Sequence, residues 1–135
     1  MTVGGVAFKR YLEIAQTLNK ATAVVTDNDG DIEAVKKKYK EYEEIPCIHI
    51  CVDNVVDTGD LKLSNKDFNY NTLEPKILKE NGREVMNNIF GTNYNTDDEM
   101  HKYMHAHKTD CAIAIFESAT KIKYPEYIMR AIKNE

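Results

Sequence analysis

The stretch that decides the fold is TAVVTDNDGD, residues 22–31. Its first five residues are small or β-branched, which is typical of a strand buried on both faces. The run stops at three aspartates, an asparagine and a glycine, which a strand does not tolerate. Residues 32–42 then predict a Lys-rich helix, and Cys47–Val52 predicts a second apolar strand. This strand–helix–strand order is a βαβ unit, which predicts a parallel sheet.

The segments on either side of this unit have helical patterns. Apolar residues recur at helical spacing over 6–19, after a VGG at 3–5 that is typical of a strand end or loop. Residues 53–72 are polar and irregular, and the pattern beyond them is helical almost to the end. The helix signals there are Thr72 as a cap with Pro75 in the first turn, a capping box at Thr96 and Glu99, and short helices at Lys108–Ser118 and Pro125–Lys133. The predicted class is α/β, a short parallel sheet flanked by helices with a helical C-terminal half.

Length, composition and charge limit the number of domains, the binding partners and the cellular location that the sequence predicts. The chain has 135 residues, 42% of them apolar and 30% charged, which predicts one folded domain over residues 1–135. The net charge of −4 gives no global basic surface for nucleic acid, although cations can neutralise an acidic nuclease site. Three cysteines without a CxxC pair favour a reducing compartment. Because no leader or membrane-length apolar run is visible, we expect a cytoplasmic protein with no membrane partner.

The acidic loop is the strongest chemical signal. Asp27 and Asp29 follow a predicted strand at its carboxyl end, where ligand sites form in open α/β sheets. Two carboxylates two residues apart could hold one Mg²⁺. A polar turn that caps the next helix is the plain alternative. An EF-hand is excluded, because the glycine is fourth rather than sixth and Lys38 occupies the twelfth position.

A phosphatase of the haloacid-dehalogenase type is a second enzymatic interpretation. In that class a nucleophilic Asp follows an apolar strand in a D-x-D-G pattern, and Asp27 would take that role. The residue after the glycine is typically Thr or Val in that class, whereas Asp31 stands here.

Four segments together carry a resemblance to a known family. They are VGGVAFKRYLEIAQTLNK at 3–20, AVVTDNDGD at 23–31, YNTLEPKIL at 70–78 and KTDCAIAIFES at 108–118. The second resembles the D-x-D motif of Toprim domains. In this order and spacing, D-x-D, T-L-E-P and K-x3-A resemble the Toprim nuclease domain of the OLD (overcoming lysogenisation defect) family of ATP-dependent endonucleases, over nearly the whole chain.

The resemblance implies a role for five residues. Asp27 and Asp29 would be metal ligands, with Mg²⁺ or Mn²⁺ as cofactor. Thr72 and Glu74 match a hydroxyl-x-Glu motif that helps to hold a second metal, and Lys108 matches a catalytic lysine near the scissile phosphate. Two-metal catalysis and a nearby cation suit phosphodiester hydrolysis. Taken singly, Thr72 could equally be a helix cap, Glu74 a first-turn acid and Lys108 a solvated side chain.

The resemblance also implies partners: DNA as substrate, and an ATPase domain in the full-length protein, with a homo-oligomer left open. Toprim domains carry a further glutamate on a strand before the D-x-D, and here the only acid upstream is Glu13, within a predicted helix. We therefore expect a fragment of a longer protein, incomplete and inactive or weak as an isolated chain. The competing class is a non-catalytic module for DNA binding or self-association.

Three smaller features have mostly structural interpretations. Cys47, His49 and Cys51 share one strand face and are predicted to be core residues rather than a soft-metal site. The histidines of one predicted helix and its end, His101, His105 and His107, are predicted to lie on an exposed surface with adventitious zinc affinity. The lysines at 36–38 and 40 could contact DNA phosphates or form a solvated helix face.

Overall fold

The computed structural model describes residues 7–57 and 70–133. The strands are β1 (Thr22–Thr26) and β2 (Ile48–Val52), and the helices are α1 (Ala7–Thr17), α2 (Ile32–Tyr39), α3 (Leu73–Asn81), α4 (Arg83–Phe90), α5 (Asp97–Ala106), α6 (Lys108–Glu117) and α7 (Glu126–Lys133). A 3-10 turn at Lys40–Tyr42 extends α2. The VGG at 3–5 and most of the irregular segment at 53–72 lie outside the described residues.

The predicted βαβ unit is confirmed. β1 and β2 pair in parallel, in a register that runs from Thr22 opposite Ile48 to Thr26 opposite Val52, and α2 connects them. Within the described residues the sheet has these two strands. The chain is therefore an α/β protein with a short parallel sheet and a helical C-terminal half, and the carboxyl ends of both strands point the same way.

The prediction that β1 is buried on both faces is wrong. Ala23 and Val25 are exposed, with Val25 at 44%, whereas the residues that alternate with them are half-buried. Val24 packs into a core with Leu12 and Tyr39. An apolar β-branched run does not by itself distinguish a doubly covered strand from one with small apolar residues on an open face.

The described residues form two hydrophobic cores. One lies between α1, α2 and the sheet and is built on Leu12, Tyr39, Tyr42 and Ile48. The other joins α3 to α6 and consists of Ile77, Leu78, Met86, Met100, Met104 and Cys111. The last helix, α7, packs against both strands and so returns the end of the chain to the sheet. Helices from both halves, α2 and α7, therefore pack against the sheet.

The helix starts follow local capping chemistry. The Asp31 carboxylate accepts a hydrogen bond from the Ala34 N–H at 3.0 Å and caps α2. Thr96 and Glu99 form the predicted capping box of α5. Thr72 stands at the N-cap of α3 in extended backbone, and no capping hydrogen bond joins its side chain to the described residues of that helix.

Two side-chain predictions need correction. His49 is exposed rather than in the core, because it lies over an open cleft beside β2. His101 is fully buried rather than on an exposed surface, because it shares the inward side of α5 with Met100 and Met104. His105 and His107 are exposed as predicted. In the two described ranges no helix is both long and apolar enough to cross a membrane.

Candidate functional site

The D-x-D loop is tied to the segment that follows β2. The fully buried Asn28 donates from Nδ2 to the carbonyls of Asp53 (3.1 Å) and Val55 (2.8 Å), and its Oδ1 accepts from the Gly30 N–H. Asp29 adopts a left-handed backbone, with φ of 49°, which Asp tolerates better than most residues. Asn28 therefore fixes the loop, while Asp27 and Asp29 on either side of it remain at the strand end.

A buried ion pair lies beneath this loop. Asp53, directly after β2, is 4% exposed and pairs with Lys76 of α3, which is 7% exposed. The Lys76 ammonium also donates to the Val55 carbonyl, and the other Asp53 oxygen accepts from the Val55 N–H at 3.0 Å. The Asp53 N–H continues the sheet ladder to the Thr26 carbonyl. This pair anchors α3 to the carboxyl end of the sheet.

The helical half contributes a second ion pair. The Lys108 Nζ, at the start of α6, lies 3.2 Å from the Glu74 Oε1, at the start of α3. The Glu74 side chain is mostly covered and the Lys108 side chain is mostly exposed. Two residues that are 34 positions apart in the chain therefore meet at one place.

The electrostatics of Asp27 link it to the charges of both halves. Its pKa is raised to about 6, by burial first and then by the carboxylates of Asp29, Glu74 and Asp53, in that order. Lys108 acts in the opposite direction. Three carboxylates, from two strand ends and α3, and one lysine of α6 therefore act on Asp27.

Two further helices complete the walls of the site. Tyr127 of α7 is 3% exposed, and burial, followed by Asp27, Asp53 and Glu74, raises the pKa of its hydroxyl well above the usual range. On α5, burial lowers the pKa of His101, and Glu74 partly opposes that change. The acidic cluster, defined as Asp27, Asp29, Asp53 and Glu74, therefore interacts electrostatically with side chains of α5, α6 and α7.

Of the five residues singled out from the sequence, Lys108 pairs with Glu74, and Asp29, Glu74 and Lys108 each act electrostatically on Asp27. Thr72, the fifth, stands two residues before Glu74 at the N-cap of α3. Sequence reasoning missed Asp53, Lys76 and Tyr127. Asp53 had a usable signal, since it directly follows the second parallel strand as Asp27 follows the first.

The acidic cluster suits a hard divalent cation in the chemistry of its donors, which are all carboxylate oxygens. With Lys76 and Lys108 counted, four carboxylates and two ammonium groups leave a formal charge of −2. Across residues 7–57 and 70–133, however, no three His, Cys, Asp or Glu side chains are close enough to coordinate one metal ion. The donor atoms are therefore of the type that a hard cation prefers, but their side chains would have to rotate to bind one ion together.

The raised pKa of Asp27 predicts a stability effect. The unfolded chain loses this proton near its usual pKa of about 3.9, whereas the folded chain keeps it to about 6, so stability falls as pH rises between these values. Because Asp27 is half-exposed and solvent screens it, we expect Asp27→Asn to stabilise the fold at pH 7 by about 1 kcal/mol. Urea unfolding at pH 7 and below pH 4, in a chelator, measures the difference.

Asp31→Asn is the matched control for that measurement. It removes one charge from the same loop, and Asn caps helices as well as Asp. We expect its unfolding free energy to match the wild-type value within ~0.5 kcal/mol at both pH values. An Asp27→Asn protein that is less stable than wild type at pH 7, or equally stabilised below pH 4, would contradict the electrostatic account of the site.

Comparisons with known proteins supply no function for the site. No protein-family model, no curated protein and no solved structure matches the chain. What the acidic cluster does must therefore follow from its own residues and from the sequence motifs that led to them.

Proposed function

We propose that this chain is a Toprim-type nuclease domain of the OLD family, which hydrolyses DNA phosphodiesters with Mg²⁺ or Mn²⁺. The observation that carries the proposal is the acidic cluster at the carboxyl ends of two parallel strands, with the Lys108 ammonium 3.2 Å from Glu74. The proposal includes a Toprim-like arrangement around β1 and β2, a cytoplasmic location, and an ATPase domain as partner in the full-length protein.

Each residue has a role that its position supports. Asp27, Asp29 and Glu74 would hold the divalent cation, which would supply Lewis-acid stabilisation of a phosphodiester displacement. Asp53 is held by Lys76 and the Val55 N–H, and its carbonyl accepts a hydrogen bond from Asn28 of the D-x-D loop. Lys108 is exposed enough to reach a phosphate and offsets the negative charge that grows there in the transition state. Thr72 lies beside Glu74, where a hydroxyl could donate to the same phosphate or ligand group.

Metal binding tests the site directly. We expect isothermal titration calorimetry to show Mn²⁺ binding with a Kd of about 1 mM, or about −4 kcal/mol, because no three donors are closed around an ion beforehand. Asp27→Ala and Asp29→Ala should each weaken that binding by at least about tenfold. Asp31→Asn, which leaves the cluster intact, should bind Mn²⁺ as wild type does. Equal binding by all four proteins would contradict the proposed ligands.

A second measurement separates the nuclease from the phosphatase interpretation. In a haloacid-dehalogenase-type enzyme Asp27 attacks phosphorus and forms an aspartyl phosphate. In the proposed nuclease Asp27 is a ligand, so beryllium fluoride should give no adduct at its carboxylate, and a small phosphomonoester should not be hydrolysed. An adduct at Asp27, seen in the fluorine NMR spectrum and absent from Asp27→Asn, would favour the phosphatase.

Two observations favour the non-catalytic alternative. The Lys108 ammonium is paired with the Glu74 carboxylate, and among the described residues no three potential metal ligands are close enough to bind one ion. A DNA-binding module would retain that arrangement. Mn²⁺ binding that depends on Asp27 favours the nuclease, whereas DNA binding without any Asp27-dependent metal binding favours the module.

A further inference from the structure

A polar cleft of about 300 Å³ runs along the outer edge of β2, away from β1. Five polar side chains among the described residues line it: Lys36 of α2, Glu43 after the 3-10 turn, His49 of β2, Asn54 after β2, and Arg130 of α7. Glu43 is the one acid among these described lining residues. In a chain with a net charge of −4, a cleft that holds Lys36 and Arg130 against one carboxylate is locally positive.

The backbone of β2 also offers donors to this cleft. The Thr22 N–H donates to the Cys47 carbonyl and the Asp53 N–H donates to the Thr26 carbonyl. This alternation turns the amides of His49 and Cys51 toward β1, so those of Ile50 and Val52 point to the outer edge. In the described part of the chain, the strand side of the cleft therefore presents apolar side chains and the outward N–H groups of Ile50 and Val52.

Arg130 is held in place and still has donor capacity. Its Nη2 donates to the Val52 carbonyl at 2.7 Å, which fixes the guanidinium against the end of β2. Its Nε is buried and has no hydrogen-bond partner within the described part of the chain. A buried donor of a charged group without an acceptor is unfavourable. An anion beside Arg130 supplies the acceptor, and a guanidinium matches phosphate oxygens particularly well.

The cleft ends where the acidic cluster begins. Val52 and Asn54 line the cleft, and Asp53 between them belongs to the acidic cluster. Arg130 lies one turn after Tyr127, whose hydroxyl pKa is raised in part by Asp27 and Asp53. A negatively charged chain in the cleft therefore lies against both sequence neighbours of Asp53.

We infer that this cleft binds a backbone phosphate of nucleic acid, with Arg130 and Lys36 as its charged contacts and Asn54 as a neutral donor. The identity of the ligand as nucleic acid rests on the proposed nuclease function. The cleft positions the strand so that a neighbouring phosphodiester reaches the acidic cluster. Of the lysines at 36–38 and 40, Lys36 alone would then contact DNA in this cleft.

Lys36 and Lys37 form a matched pair for the test. They are adjacent and exposed on α2, their substitution by Gln removes the same charge, and Lys36 lines the cleft whereas Lys37 is not among its lining residues. Fluorescence anisotropy of a labelled DNA duplex, recorded in EDTA so that no metal site is needed, measures binding. We expect Lys36→Gln to raise the Kd about threefold and to lower the salt slope by about 1, with Lys37→Gln close to wild type.

Substitutions of Arg130 form the second part of the DNA-binding test. We expect Arg130→Gln to raise the Kd about tenfold, and Arg130→Lys, which keeps the charge, to lie between that variant and wild type. Thermal unfolding shows whether Arg130→Gln remains folded, and Lys36→Gln carries the test if it does not. Equal effects of Lys36→Gln and Lys37→Gln, or no effect of either, would overturn the inference.

Competition with inorganic phosphate shows whether the cleft binds the phosphate of a nucleic acid or a free anion. If the cleft serves nucleic acid, millimolar phosphate should displace DNA only weakly and should shift the NMR signals of Arg130 without saturation. Tight, saturable phosphate binding that DNA does not compete with would assign the cleft to a free anion and overturn the inference. Failure of the Mn²⁺ titration with retained Lys36-dependent DNA binding would instead reject the nuclease and keep the cleft.

Discussion

Lys76→Met is expected to destabilise the fold by about 3–5 kcal/mol, the largest stability effect of any single substitution considered for this chain. The substitution keeps the length and apolar stem of the side chain but removes the ammonium group that pairs with Asp53. The Asp53 carboxylate, 4% exposed, would then be a buried charge without its cation. Urea unfolding at pH 7, followed by circular dichroism, measures the loss.

Lys79→Met is the matched control on the same helix. Lys79 pairs with Asp57 at 3.0 Å, but its side chain is 52% exposed, so the pair is hydrated and screened. We expect a loss of less than about 1 kcal/mol. Similar losses for Lys76→Met and Lys79→Met would show that burial does not distinguish the two pairs and would contradict the account of Lys76.

The double variant Lys76→Met with Asp53→Asn tests whether the loss in Lys76→Met comes from the unpaired charge of Asp53. Asn keeps an oxygen to accept the hydrogen bond from the Val55 N–H and carries no charge, so it removes the unpaired anion that Lys76→Met leaves. We expect the double variant to be more stable than Lys76→Met by about 2 kcal/mol. A double variant that loses the sum of both single losses would mean that the two side chains act independently.

The buried pair also explains how the site tolerates its own repulsion. After burial, the carboxylates of Asp29, Glu74 and Asp53 repel the charge of Asp27 and raise its pKa. Lys76 neutralises the most buried of them from below, and Lys108 partly neutralises Glu74 from the solvent side. The remaining charge is concentrated at Asp27 and Asp29, at the open end of the strands, which is where a divalent cation could offset it.

The sequence predicted the parts of the fold that local chemistry determines. The βαβ unit follows from two apolar runs on either side of an amphipathic segment, and the capping side chains of Asp31 and Thr96 mark helix starts to the residue. Burial was less predictable, because it depends on which element covers a face. Val25 is therefore exposed and His101 buried, contrary to prediction.

The acidic cluster was predictable in part for the same reason. Asp27 and Asp29 follow a strand, and Asp53 follows its parallel neighbour, so all three could have been placed at one sheet edge from the pattern alone. Lys76 and Tyr127 could not, because they enter from α3 and α7, and nothing in the local sequence gives the docking of those helices. The meeting of Lys108 with Glu74 was implied by the family resemblance rather than by any local pattern.

Lys108→Ala is expected to move metal binding and DNA cleavage in opposite directions. The Lys108 ammonium pairs with Glu74 and opposes the negative field at Asp27, so it competes with a cation for the cluster. Because Lys108 is mostly exposed and screened, its removal should tighten Mn²⁺ binding only about threefold. The same change removes the cation that stabilises the phosphate in the transition state, so the weak nicking of supercoiled plasmid that we expect of the isolated chain should slow about 100-fold.

Lys102→Ala is the control, because Lys102 is exposed on α5 and its loss changes the net charge equally. Calorimetry with Mn²⁺ and plasmid nicking with the same ion should both give wild-type values for it. A purely structural role of the Lys108–Glu74 pair predicts weaker metal binding together with slower cleavage, since the loosened site would hold the ion less well. Unchanged or weaker Mn²⁺ affinity in Lys108→Ala would therefore contradict the competition between lysine and metal, whatever the nicking rate. Tighter binding with unchanged nicking would separate Lys108 from catalysis and leave it a purely electrostatic neighbour of Glu74.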